Sequence, residues 1–204
     1  GNKQTSAAKT VVTTMLIQIS DVSVSADSGW RSLDRNRVDE LKAAFARGEY
    51  GQNLLRKPSL LSYLGQPVLC PDGLRHIADG KHTFQALQEL LTMLPDMLAD
   101  DDGFGEEPWT DSLITALNIG VDVSVIEFEE YDEDEVVAWA AGLHDIDSNK
   151  YKASSLKDLC DVVNRYRKRI PGAGWAQTQT ALEVVYGKGR RMIVYRMVSA
   201  ARAL

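Results

Sequence analysis

Apolar positions recur along this chain with two periods, and the changes between them outline its elements. Met15-Leu-Ile-Gln-Ile19 predicts a strand, left at Ser20-Asp21-Val22. From Leu33 to Arg47 the period is helical, with Val38, Leu41, Ala44 and Phe45 on one face and Gly48 as the stop. Pro58 to Leu64, Pro67 to Leu69 and Leu74 to Ala78 are strand material, and Cys70-Pro71-Asp72-Gly73 is a turn among them. Phe84 to Leu94 is a helix closed by Pro95. Val121 to Phe128 alternates as a strand with one wet face. An acidic turn, Glu129 to Glu135, opens a helix over Val136 to Leu143, and His144 to Lys150 is a polar loop. Ser154 or Ser155 caps a helix running to Arg169 with Leu156, Leu159, Cys160 and Val163 inward. Ile170-Pro-Gly-Ala-Gly174 breaks it, and two helices follow, Thr178 to Tyr186 and Arg190 to about Leu204. Residues 1–12 are expected to be a polar, disordered tail, and Gly1 is expected to be a cloning remnant.

Charge sharpens this outline. The chain of 204 residues carries −6, but residues 150–204 hold twelve Lys and Arg against three Asp and Glu, a net +9, leaving −15 on residues 1–149. A basic C-terminal segment on an acidic body points to nucleic acid at one end; the plain alternative is a solubilising surface. Asp96 to Asp111, with Asp100-Asp101-Asp102 and Glu106-Glu107, is expected to be a solvated acidic insertion rather than a metal site, since neighbouring like charges repel and extend. Cys70 and Cys160 are expected to be free thiols in a reducing compartment, and three scattered His with no Cys pair give no zinc signature. No apolar run approaches a membrane span, so a cytoplasmic protein is expected.

Two segments carry candidate chemistry. In Ile77-Ala-Asp-Gly-Lys-His-Thr-Phe-Gln-Ala-Leu87 a strand ends, Asp79-Gly80 turns the chain, and Lys81, His82 and Thr83 open a helix. Unbonded N–H groups, the helix dipole and the lysine charge make that an anion cradle suited to phosphate. An ordinary turn with Asp79 or Thr83 as the capping oxygen explains the same residues. The second segment, Thr178 to the C-terminus, has the shape of a helix-turn-helix: a short helix, Gly187-Lys-Gly189, then a helix opening on Arg190-Arg191. Leu182, Val185, Ile193, Val194 and Met197 would form its core, and Gln179, Lys188, Arg190, Arg191 and Tyr195 would meet double-stranded DNA. A plain helical hairpin is the alternative.

Taken in order, these residues resemble the ParB/sulfiredoxin superfamily, and ParB-like partition proteins in particular. Gly51-Gln52-Asn53 is similar to the family's first box without its proline. Asp79-Gly80-Lys81-His82 is similar to the second, with Thr83 where the family has Arg. Thr178-Gln179 through Gly187-Lys188-Gly189-Arg190 is similar to its helix-turn-helix, whereas the third box finds only the loop from Ala141 to Lys150. The resemblance implies an α+β fold: a small mixed β-sheet nucleotide-binding domain at 13–130, then an all-helical DNA-binding domain at 131–204 with the helix-turn-helix at 178–200. It implies CTP (or ATP/ADP) with Mg2+ as ligand, a nucleotide switch for DNA binding or clamping, slow nucleoside triphosphate hydrolysis, a homodimer, and a nucleoid- or plasmid-associated location. Carried over residue by residue, the nucleotide would meet Gly51, Gln52, Asn53, Gly80, Lys81, His82, Thr83, Asn149 and Lys150, and Asp145 or Asp147 would stand nearest the magnesium. Thr83 removes a bidentate phosphate fork that Lys81 does not reproduce. Sulfiredoxin chemistry is excluded, because that family's cysteine position is Lys81 here. Two further functions fit the same fold. One is a nuclease, phosphohydrolase or small-molecule kinase using Asp79 or His82 as acid or base. The other is a catalytically decayed adaptor whose acidic segment 96–111 binds a partner.

Overall fold

Side-chain packing turns the sequence periods into two units. The computed structural model describes residues 10–24, 32–50, 59–63, 66–99, 109–128, 132–146, 155–170 and 172–204. Its strands are β1 (Thr10–Ile17), β2 (Val22–Ser23), β3 (Ser59–Tyr63), β4 (Gln66–Pro67), β5 (Arg75–Asp79) and β6 (Val121–Phe128). Its α-helices are α1 (Arg35–Ala44), α2 (Lys81–Ala99), α3 (Asp111–Ile119), α4 (Glu133–Ile146), α5 (Leu156–Arg169), α6 (Trp175–Tyr186) and α7 (Arg191–Ala203). The protein is mixed α+β, and its two compact units part between residues 130 and 131.

In the first unit the strand order is β1-β6-β3-β5-β2, with β4 on β3. The sheet is mixed: β6 runs antiparallel to β1 and parallel to β3, while β5 is antiparallel to β3 and parallel to β2. Helices supply the apolar cover. Val38, Leu41 and Phe45 from α1 and the turn after it, Phe84, Leu87, Leu90 and Leu94 from α2, and Leu113 and Leu117 from α3 bury against Ile17, Ile77, Val121 and Val123. Gln88 ties α2 to β2 and the turn before it, its amide donating to the Ile19 carbonyl at 3.1 Å and the Val22 carbonyl at 2.8 Å.

Several sequence expectations are corrected here. The first strand begins at Thr10, so residues 10–12 belong to it and not to the expected disordered tail; it ends at Ile17, and Ile19 is buried from a 3-10 turn over Ile19–Asp21. Pro95 lies inside α2 instead of ending it. Only one turn follows the proline, which itself faces solvent, and Met97 in that turn packs on the core, so apolar contact offsets the backbone bond the proline cannot make. The acidic insertion also ends early. Residues 96–99 are helical, and Thr110 opens α3 with Asp111 in its first turn, where a carboxylate opposes the helix dipole favourably. The alternation of β6 changes phase: Val121 and Val123 are buried on one face, Ile126 and Phe128 on the other.

The second unit is helical. Val137, Ala138 and Ala141 of α4 join Cys160, Val162, Val163 and Tyr166 of α5, Leu182 and Tyr186 of α6, and Val194, Met197, Val198 and Ala201 of α7 in one core. Ser155 opens α5 with a capping box: its amide donates to Asp158 Oδ2 at 2.8 Å and its Oγ accepts from the Asp158 amide at 3.1 Å. Leu156, expected inward, is exposed, because it stands at the first helical position outside the buried face. Val185 and Ile193 are partly buried beside the fully buried Leu182 and Val194. The break before α6 is closed locally, with the Gly174 amide donating to Gln177 Oε1 at 2.5 Å and the buried Thr178 Oγ donating to the Gly174 carbonyl at 3.2 Å.

Candidate functional site

Gly80 joins the last residue of β5 directly to the first turn of α2. Gly80 holds φ at 100°, a value that favours glycine, so the chain leaves β5 at Asp79 and enters α2 at Lys81 within one residue. The first helical bond runs from the Phe84 amide to the Gly80 carbonyl at 3.0 Å. Lys81, His82 and Thr83 are each half-buried, and no acidic residue occupies the first turn of α2. Asp79 pairs with Ser59 of β3 across the sheet.

A second helix start meets this one. The Asp34 amide, at the N-cap of α1, donates to His82 Nε2 at 3.0 Å, while Asp34 Oδ1 accepts from the Arg37 amide at 3.4 Å. Accepting an N–H at Nε2 requires the neutral ring with its proton on Nδ1. His82 therefore couples the starts of α1 and α2, a role its position in the sequence does not announce. Farther along, the Glu89 carboxylate of α2 joins the same two helices. It accepts from Arg35 Nη2 at 2.6 Å, Lys42 Nζ at 2.8 Å and Gln85 Nε2 at 2.8 Å. The Arg35 guanidinium holds this carboxyl far below its ordinary range against the opposing effect of burial, with Lys42 and Gln85 assisting.

The other expected nucleotide contacts, Gly51, Gln52, Asn53, Asn149 and Lys150, lie outside the described residues, as does Asp147. Asp145 falls within α4, not in a loop, and its side chain is likewise outside them. Among the described residues no group of three His, Cys, Asp or Glu is placed to hold a metal ion. Both cysteines are free. Cys70 Sγ lies 3.6 Å from His76 Nδ1, beside a Ser23 hydroxyl that donates to Asp72 Oδ2 at 2.9 Å. Burial pushes the Cys70 thiol up, against the lowering effect of the Ser23 hydrogen bond and with a smaller upward contribution from Asp72.

In the helical unit the turn between α6 and α7 is made by Gly187 at φ 84°, followed by a 3-10 turn over Lys188–Arg190. The turn is closed by the Gly187 amide on the Glu183 carbonyl at 3.0 Å and the Arg190 amide on the Gly187 carbonyl at 3.1 Å. Of the expected DNA contacts, Gln179 and Arg191 converge on Glu183: Gln179 Nε2 donates to Oε1 at 2.9 Å, and Arg191 Nε lies 3.5 Å from Oε2. Tyr195 is exposed and Arg190 half-exposed; Lys188 is placed by its backbone alone. The outward face of α7 is longer than those residues suggest. Arg191, Met192, Tyr195, Arg196, Ser199 and Arg202 are all exposed, and α7 contains no acid. Met192, Arg196 and Arg202 lie beyond the helix start that the motif marks, although their spacing from Tyr195 and Ser199 puts them on one helical face.

Among the described residues no helix is long and apolar enough to cross a membrane. No protein-family model, curated protein or solved structure matches this chain.

Proposed function

We propose that this chain is a ParB-like DNA-binding protein that docks α7 in the major groove and binds a nucleotide, CTP with Mg2+ ahead of ATP or ADP, at the start of α2 as a switch. The observation that carries the DNA reading is the face of α7: three exposed arginines, an exposed tyrosine and no acid, set behind a glycine turn that follows a short helix. Arginines on such a face serve phosphates first and guanine edges second, and Met192 offers apolar contact to a thymine methyl. Glu183 holds Gln179 and Arg191 near the turn, which limits how far either can swing before it meets the duplex.

The nucleotide reading is supported by the acid-free first turn of α2 after Gly80. There the backbone N–H groups, the Lys81 charge and the Thr83 hydroxyl would take the phosphates. An enzyme using His82 Nε2 as base is less well supported, because that nitrogen already accepts the Asp34 amide. Calorimetric titration with CTP, ATP, GTP and ADP, each with magnesium, tests the switch. CTP-selective binding that is lost in Lys81→Ala while DNA binding persists is the expected result. Absence of binding to every nucleotide removes the switch and leaves the DNA reading to stand or fall on duplex titrations.

A further inference from the structure

We infer that the elbow between α5 and α6 is a second grip on the DNA backbone, holding a phosphodiester outside the groove entered by α7. The inference rests on the DNA reading above and extends it beyond the helix-turn-helix. Four cations crowd the end of α5: Arg165, Arg167, Lys168 and Arg169. Two of them are committed within the unit. Arg165 lies 3.6 Å from Asp134 and 3.9 Å from Glu133, and Arg169 pairs with Asp132. Among the described residues Arg167 and Lys168 have no carboxylate partner. The Arg167 guanidinium instead lies 4.1 Å from the ring centre of Trp175, the first residue of α6.

Stacking on an indole restrains a guanidinium while its in-plane N–H donors stay available to an acceptor. Arg167 and Lys168 line an open cleft of about 460 Å3 together with Asn164, Ile170, Gly172 and Ala173. Among the described residues the walls thus hold two cations and an amide and no acid, which is the chemistry of an oxyanion site. Its openness to solvent suits one link of a long polyanion better than a small ligand that must be enclosed. It also lies where α6 begins, and in a helix-turn-helix the first helix is the one that crosses the sugar-phosphate backbone.

The test is the salt dependence of affinity for a mixed-sequence duplex, measured on the full chain with Arg167→Gln, Lys168→Gln, Arg196→Gln and, as control, Lys157→Gln at the opposite end of α5. Each lost phosphate contact should flatten the plot of log affinity against log salt by about 0.9. Arg167→Gln and Lys168→Gln should each show that change and weaken all duplex sequences alike, while Lys157→Gln should match the parent. If Arg167→Gln lowers the melting temperature, Lys168→Gln decides the matter, because Lys168 is exposed and without a carboxylate partner among the described residues. Parental slopes in both elbow variants, with a flattened slope in Arg196→Gln, would overturn the inference and leave the DNA reading intact. A parent that binds no duplex overturns both. A Lys168→Gln protein that loses affinity for inorganic phosphate but keeps the parental DNA slope assigns the cleft to a free anion, and the inference fails.

Discussion

Gly120 offers the sharpest test of the packing that supports the first unit. It closes α3, its amide donating to the Ala116 carbonyl at 3.0 Å, and the next residue begins β6. Its backbone sits at φ 126° and ψ −177°, a region essentially restricted to glycine. A Cβ built there would lie 2.2 Å from the Ile17 carbonyl oxygen and 2.8 Å from its carbon. Relief would need about an ångström of movement to reach ordinary contact distance, and the obstacle is backbone. Ile17 pairs with Val121 at the end of the β1–β6 ladder, so retreat would open that rung and expose Ile17 and Ile19, both nearly fully buried. Strain of about 1–3 kcal/mol and overpacking of about 1–3 kcal/mol put Gly120→Ala near 4 kcal/mol, a large part of an ordinary domain's stability. Gly73 is the control: its φ is 78°, yet nothing lies within 4 Å of a Cβ added there, so Gly73→Ala should cost about 1 kcal/mol. Urea unfolding followed by circular dichroism gives both values from the midpoints and slopes. Equal destabilisation of the two variants would refute the reasoning, because it would mean that the Ile17 carbonyl yields freely.

Two other predictions concern the joint between α1 and α2. His82→Ala should cost about 1–2 kcal/mol and speed hydrogen exchange at the Asp34 amide, read by NMR; unchanged exchange would mean that Nε2 does not hold that proton. Glu89 has its carboxyl lowered from an ordinary 4.5, so its stabilising effect is complete above that pH and is lost as pH falls below it towards the folded value. Glu89→Gln should therefore be less stable than the parent at neutral pH, with the gap in urea midpoint closing under acid; a gap constant with pH would show that Arg35 and Lys42 do not depend on the charge.

What could be read from the sequence follows the range of the physics involved. Helical spacing in Val38 to Phe45, the Ser155 cap and the glycine turn at 187 are local, and each stands in the structure near its expected place. The α+β class, which the resemblance implies, is met at the coarse level of a mixed sheet unit and a helical unit. Expectation and structure part where distant packing overrides a local signal, as at Pro95, where the partly buried Met97 carries the helix onward, and in β6, whose apolar residues change face midway. The apolar spacing Leu113, Ala116 and Leu117 is helical in the sequence too, but the acids before it mask it. The strand order was not legible, since placing β3 between β6 and β5 is a choice among distant partners. The same holds for both candidate sites. His82 meets the start of α1 from 48 residues away. Arg167 is ordinary in a basic run until the elbow folds Trp175 beneath it. The separation of charge along the chain, by contrast, is a property of composition, and it takes on meaning from the fold. Arg165 and Arg169 are paired with Asp132, Glu133 and Asp134 at the start of α4, whereas Arg167 and Lys168 have no carboxylate partner among the described residues, and with Arg196 and Arg202 on the face of α7 they are the cations that the proposed duplex contact would use.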